Sequence, residues 1–246
     1  AAEAGIPKTD DFNRGDNFGC GYFEVNQRRG VRWNAAKAFL HPVSSRSNLK
    51  IVTGAQVLRL LRRDDGSGRV YGVECRVGGA SGESKSFLCS DEVVMAAGAI
   101  GTAQILQLSG IGPAEALKAA GVQPTVDLPG VGENLQDHLQ LRLIYRVSNA
   151  HTLNQQANSL LGKAQMGLQY LLFRRGPMTM SPSQLGAFAK SDPEQTRANV
   201  EYHVQPLSLD RFGEPLHRFP AFTASVCNLR PVSRGQARIG SADPLA

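Results

Sequence analysis

Four small residues in a row, Ala96-Ala97-Gly98-Ala99, with Gly101 close behind, mark the stretch of this chain best suited to receive a ligand. Side chains that short let another molecule approach the main chain, and the free N–H groups at the start of a following helix favour an anion. Two glycines in such a corner are more commonly a tight strand-to-helix turn with no ligand, so the corner needs its context. Other candidates are weaker. Asp137 and His138 are adjacent, and neighbouring side chains do not normally face one another as a general base and its carboxylate must, so His138 reads as structural. His203 lies inside an apolar-polar run and reads as a core or wall residue rather than a base. Cys20, Cys75, Cys89 and Cys227 form no C-x-x-C pair, which suggests neither a metal site nor a redox motif. No residue is assigned as catalytic.

The elements that must position the corner follow from the hydrophobic pattern. Val93 to Ala97 is an unbroken apolar run and predicts a buried strand, Gly98 turns the chain, and Thr102 to Leu108 predicts a helix. Pro113 to Gly121 predicts a second helix, with proline in its first turn and glycine past its end. Upstream, residues 1–30 are dense in turn formers and predict a loop-rich segment that packs on something else. Asn34 caps a predicted helix that ends at Pro42. Leu49 to Thr53, Gln56 to Leu61 and Val70 to Val77 predict a strand meander. Downstream, Leu141 to Val147, Asn199 to Pro206 and Ala221 to Leu229 predict further strands. Between them, Asn154 to Arg175 predicts one amphipathic helix whose stripe of Leu160, Leu161, Ala164, Leu168, Leu171 and Leu172 faces a core.

The strings GAIGTAQILQLSGIGP from Gly98, LPGVGENLQDH from Leu128 and LRPVSRGQARIGSADP from Leu229 together resemble the glucose-methanol-choline (GMC) family of flavin-dependent oxidoreductases. Asp11, Phe12, Asn13, Gln27, Gly30, Arg32, Ala35, Ala36 and Leu40 match an earlier passage of that family, while Ala103 stands where many members carry proline. The resemblance implies FAD as cofactor, with Ala97 and Gly98 against it. It also implies that the backbone of Val57, in Thr53-Gly54-Ala55-Gln56-Val57, reads the adenine edge. Gln184 and Phe188 are implied in the substrate pocket, Gln184 standing where choline-oxidising members carry glutamate. A neutral amide cannot balance a quaternary ammonium, which argues against choline.

The implied fold is α/β, mixed α+β: part of an FAD-binding Rossmann-like domain plus part of an antiparallel-sheet substrate domain. Its expected division is a connecting segment and helix at 1–47, FAD-domain residues at 48–138, substrate-domain residues at 139–236 and a truncated return strand at 237–246. The implied activity is FAD-dependent oxidation of a CH-OH group, with hydride passing from a primary alcohol to flavin and electrons on to a quinone or oxygen. Family members open with a G-x-G-x-x-G turn and close with a histidine motif that supplies the base. Neither occurs in these 246 residues, so the chain reads as a central fragment, expected alone neither to oxidise alcohols nor to hold FAD tightly. A non-catalytic binding module derived from the same fold is the alternative.

Composition sets outer bounds. With 41% hydrophobic and 20% charged residues the chain is ordinary globular protein. Net charge is +6, but the arginines are spread along the sequence, which favours a solvated surface over a nucleic-acid reader. No apolar run is long enough to span a bilayer, and the first residues lack the features of a secretion signal. With no Asn-x-Ser/Thr acceptor, the expected setting is the cytoplasm or the periphery of an inner membrane, of bacterial type.

Overall fold

A computed structural model describes residues 1–246. In chain order its elements are β1 (Gly19–Tyr22), β2 (Gln27–Arg28), β3 (Val31–Arg32), β4 (Ala55–Arg62), β5 (Val70–Val77), β6 (Glu83–Leu88) and α1 (Gly98–Leu108). They continue with β7 (Ile111–Gly112), α2 (Ala114–Ala119), β8 (Val126–Asp127), β9 (Gln140–Arg146), α3 (Leu153–Asn158) and α4 (Leu160–Phe173). The last three are β10 (Leu185–Ala189), β11 (Val200–Gln205) and β12 (Ala221–Asn228). The chain divides into two compact units, Ala1–Arg46 with His138–Pro231, and Ser47–Asp137 with Val232–Ala246. The mixed α/β class is as expected. The first 46 residues, expected as a connector, are part of the first unit, and β1 pairs with β10 there.

The first unit is built on a five-stranded antiparallel sheet in the order β1-β10-β11-β12-β9. Strand register puts Gln205, Thr223, Ser225 and Cys227 on one face, all of them buried. Thr223 Oγ1 donates to the Leu207 carbonyl at 2.9 Å and Gln205 Nε2 to Ser183 Oγ at 3.1 Å, whereas Gln205 Oε1 and Ser225 Oγ on the same face are buried without a partner. On the other face Leu141, Leu143 and Tyr145 of β9 are exposed. The turn-rich N-terminal segment packs as expected: Phe12 lies 5.1 Å and Phe23 6.4 Å from the Phe188 ring, centroid to centroid.

Two helix expectations in this unit are corrected. The Asn34 cap is present, its Oδ1 accepting from the Lys37 N–H at 3.0 Å, but the chain beyond it makes only one wide turn over Ala36–Leu40 and a tight turn, His41–Val43, that contains Pro42. The single helix expected over 154–175 is two. Ser159 is extended (φ −95°, ψ 135°), ends α3, and caps α4 by accepting from the Gly162 N–H. The leucine stripe of α4 is also exposed: Leu160, Leu161, Leu168, Leu171 and Leu172 show solvent 58–86% of their surface.

The second unit holds the antiparallel sheet β4-β5-β6, the short parallel pair β7-β8, and α1 and α2. Its core is Leu58, Leu60, Cys75, Ala103, Ile105, Leu117 and Val131. The strands expected at 56–61 and 70–77 form, whereas Leu49–Thr53 makes no strand. Val93 to Ala97 forms none either, and Val94 is 79% exposed. An apolar run encodes burial, but a strand exists only where another strand supplies its ladder, and none does here. For the same reason no strand forms at 237–246; that segment is held instead by side chains and by single main-chain bonds to the 132–135 loop. No helix is long and apolar enough to cross a membrane.

Candidate functional site

In the second unit α1 starts at the glycine-alanine corner. Ala97 precedes it with no side-chain cap, Gly98 opens it at φ +78°, and no charged residue lies in its first turn. A Cβ on Gly98 would meet nothing within 4 Å, so the glycine's own side of the corner is uncrowded. The contrast with α2 is informative, because there the Asp127 carboxylate accepts from the Ala114 N–H at 3.0 Å and closes the helix start. The α1 terminus keeps its orphan donors and its positive dipole end, which suits a phosphate or another anion.

Beside that terminus lies a hollow of about 550 Å³ lined by Gly98, Ala99 and Thr102 of α1 and by Val131 to Gln136. A second hollow of about 680 Å³ shares Leu135 and Ala237 with the first and continues along Gln236 to Ser241. Three stretches distant in sequence thus meet: the α1 corner, the 131–136 turn and the 235–241 segment. Leu135 and Gly235 exchange main-chain hydrogen bonds at 2.9 and 2.7 Å, and the Ala237 N–H donates to the Gly132 carbonyl at 2.7 Å. Gly132 is required at this point, since a Cβ there would fall 2.1 Å from the Ala237 oxygen. Arg238 pairs with Glu133 across the same junction.

The side chain that fastens α1 to the 237–239 segment, which the main chain in turn ties to Gly132, is Gln107, only 1% exposed. Its Nε2 donates to the Ala237 carbonyl at 2.8 Å and its Oε1 accepts from the Ile239 N–H at 3.0 Å. In the sequence it is simply one polar position on a helix. The available signal is weak: a glutamine on a turn otherwise occupied by core residues.

Val57 lies on β4, half-buried, opposite Cys75. β4 is an edge strand, and the ladder is irregular between Val57 and Arg59, so main-chain groups at this point are not all taken up by β5. β4 abuts α1 through the Leu60 N–H, which donates to Ser109 Oγ at 2.8 Å. Val57 is not in the lining of either hollow, whereas Gly98 is on the rim of the first. The Cys75 thiol is pushed up from its ordinary range by burial and then by the Glu74 charge, which keeps it protonated and unreactive.

In the first unit Gln184 lines a hollow of about 790 Å³ together with residues of α3, α4 and the 176–180 turn. Phe188, on β10 four residues on, sits instead among Phe12 and Phe23. Phe23 also lies 5.5 Å from the His203 ring. His203 Nε2 contacts the Glu201 carboxylate at 3.2 Å, and that hydrogen bond, opposed by burial, raises the imidazole above its ordinary value. It is a paired wall residue, as its position in a strand predicted.

A buried polar knot escaped the sequence. Asn154, fully buried, donates to Ser208 Oγ at 2.7 Å and to the Phe219 carbonyl at 3.0 Å, and accepts from the Ser208 N–H at 2.9 Å. Ser208 Oγ in turn meets His217 Nδ1 at 3.0 Å, and His217 Nε2 meets Asp210 at 3.2 Å. With its hydroxyl at zero exposure Ser208 cannot attack a substrate, so the knot fastens the 206–219 loop to α3.

A sequence model described as GMC oxidoreductase matches residues 1–140. The chain is 37% identical over 244 residues to an alcohol dehydrogenase [acceptor] of Pseudomonas putida, covering 99% of this chain and 43% of that protein. It is 36% identical to an oxygen-dependent choline dehydrogenase of Vibrio vulnificus, covering 99% of this chain and 42% of that one. Among solved structures it superposes on pyridoxine 4-oxidase from Mesorbium loti with a TM-score of 0.76 and 27% identity, over 98% of this chain and 42% of that one. An FAD-dependent oxidoreductase from Chaetomium thermophilum gives a TM-score of 0.84 at 24% identity, over 100% of this chain and 48% of that one, a likeness of fold. The chain therefore spans less than half the length of these relatives.

Proposed function

The chain belongs to the GMC oxidoreductase family, and from that premise we propose that it carries one wall of a flavin nucleotide site and the substrate-side sheet of an FAD-dependent oxidoreductase acting on a primary alcohol. The observation that carries this reading is the meeting of three sequence-distant stretches around the open, uncapped start of α1. An FAD diphosphate suits amides with no side-chain cap, no carboxylate in the first turn and free space at Gly98. Ala97 and Gly98 would lie against the cofactor, and the main chain at Val57, on an edge strand, would read the adenine. Bound FAD supplies the acceptor for the hydride lost by the alcohol carbon.

Gln184 and Phe188 would contribute to the substrate side, and Gln184 favours an uncharged alcohol over choline. Its amide offers hydrogen bonds but no countercharge, and an unbalanced ammonium in a dry pocket is costly. None of the 246 residues is assigned as the base. In this reading the isolated chain binds FAD weakly and does not turn over alcohols. Gel filtration after incubation with FAD tests this: the flavin is expected to elute apart from the protein. A yellow protein with stoichiometric flavin that oxidises an alcohol would overturn it.

A further inference from the structure

Three of the four buried side-chain atoms that have no hydrogen-bond partner, Arg142 Nε, Gln205 Oε1 and Ser225 Oγ, lie on one face of the five-stranded sheet. We propose that they hold an ordered water molecule, enclosed between this face and the 206–212 loop. Ser225 of β12 stands directly opposite Arg142 of β9, and Gln205 of β11 stands opposite Thr223, two residues along β12 from Ser225. Directly opposed side chains start about 5 Å apart and diagonal ones about 7–8 Å apart, so the three groups rise from adjoining positions.

The enclosure is made by the first unit alone. Ser225 is 1% and Gln205 6% exposed. The loop is drawn over the face by the Thr223 hydroxyl on the Leu207 carbonyl and by Arg142 Nη2, which donates to the Leu209 carbonyl at 3.4 Å. The guanidinium also lies 4.8 Å from the centroid of the Phe212 ring. No further stretch of protein can reach atoms already shut in this way, so their partner is small and enters as the unit folds. The neighbouring side chains are engaged elsewhere. Gln205 Nε2 donates to Ser183 Oγ, and His203, opposite Ser225 on its other side, meets Glu201 at 3.2 Å. Turning the Gln205 amide over exchanges an orphaned oxygen for an orphaned nitrogen and satisfies nothing. Arg142 belongs to none of the chain's ion pairs, so no carboxylate takes up its Nε–H.

The three atoms select the occupant by their chemistry. Arg142 Nε–H only donates, Gln205 Oε1 only accepts, and the Ser225 hydroxyl does either. An anion suits the first and is repelled by the second; a cation meets the opposite conflict. Water both accepts and donates, and about three hydrogen bonds is the usual complement of a buried water molecule. Left unmet, each of the three groups would carry its full desolvation penalty. None of the three residues is assigned to flavin or to the alcohol, so the site is independent of that reading.

The test is oxygen-17 magnetic relaxation dispersion of solvent water with the full chain, which reads long-lived bound water through its oxygen and is blind to hydroxyl proton exchange. Ser225→Val puts a methyl group in the place of the water and is expected to lower the dispersion amplitude by about one water molecule. Ser225→Ala leaves room for the water but removes one of its partners. It is expected to raise the unfolding equilibrium constant in urea about fivefold, the effect of one net hydrogen bond. An unchanged amplitude in a cooperatively folded Ser225→Val would overturn the proposal. So would a Ser225→Ala variant that unfolds no more readily than the parent, because deleting a hydroxyl without a partner removes only a desolvation cost; this measurement decides if the valine variant does not fold. A parent unfolding midpoint that climbs with chloride at constant ionic strength would assign the site to an anion instead.

Discussion

Gln107 is the clearest place to test how the three stretches of the candidate site are held together. Replacing it with leucine keeps the volume near enough but removes two hydrogen bonds, to the Ala237 carbonyl and from the Ile239 N–H. Each such bond contributes about 1 kcal/mol net, and each partner left unpaired in partly buried surroundings adds to the loss, so Gln107→Leu should cost about 2–4 kcal/mol. Gln107→Glu separates hydrogen bonding from shape. Its carboxylate still accepts from Ile239 but turns a second oxygen toward the Ala237 oxygen, and it places a charge where only 1% of the residue is exposed. The new carboxyl will therefore have a raised folded pKa, and once protonated it can donate to the Ala237 carbonyl as the amide does. A raised pKa means the folded form gains protons that the unfolded form does not hold, so stability of this variant should rise as pH falls from about 7 to about 5 relative to the parent. Urea unfolding at both pH values reads this directly. A Gln107→Leu loss below about 0.5 kcal/mol, or a Gln107→Glu difference that ignores pH, would refute the fastening role.

Three further outcomes follow from the same geometry. Gly132→Ala should destabilise the second unit and loosen the 235–239 segment, because the new Cβ meets the Ala237 oxygen at 2.1 Å; unchanged hydrogen exchange at Ala237 would contradict this. Asn154→Ala strips three hydrogen bonds from a fully buried knot and should cost about 3–5 kcal/mol in urea unfolding, a loss under about 1 kcal/mol being the contrary result. His203 is held above its ordinary value of 6.5 by Glu201, so its contribution is fully present below pH 6.5 and is lost as pH rises through the raised folded value. Glu201→Gln should flatten that decline in unfolding midpoints, and an unchanged profile would show the pair to be idle.

How much of this was legible in the sequence depended on the range of the interaction. Alternation located β5 and β9 and an apolar run located β4, each within a residue or two, because side-chain pattern is a local property of a strand, whereas the alternation at Leu49–Thr53 found no partner and formed none. The three family strings could be read as one site in advance only through the resemblance, and the structure brings them together around α1. What failed was what the partner decides. Val93 to Ala97 is apolar enough for a buried strand, yet no strand lies beside it. The α4 leucines have the spacing of a core stripe, and spacing cannot say what covers it. Gln107 reaches Ala237 across 130 positions and Asn154 reaches Ser208 across 54, distances over which no local pattern gives warning. The break at Ser159 was readable in principle, since serine is a good helix cap, but the leucine periodicity outweighed it.

The flavin assignment is tested most directly by titrating FAD into isotope-labelled chain and following the backbone amides by nuclear magnetic resonance. Gly98, Ala99 and Val57 should shift together along a single saturation curve, with inorganic phosphate competing at Gly98 and adenosine at Val57. Shifts confined to one of the two places, or an FAD response located elsewhere in the chain, would contradict a shared nucleotide site.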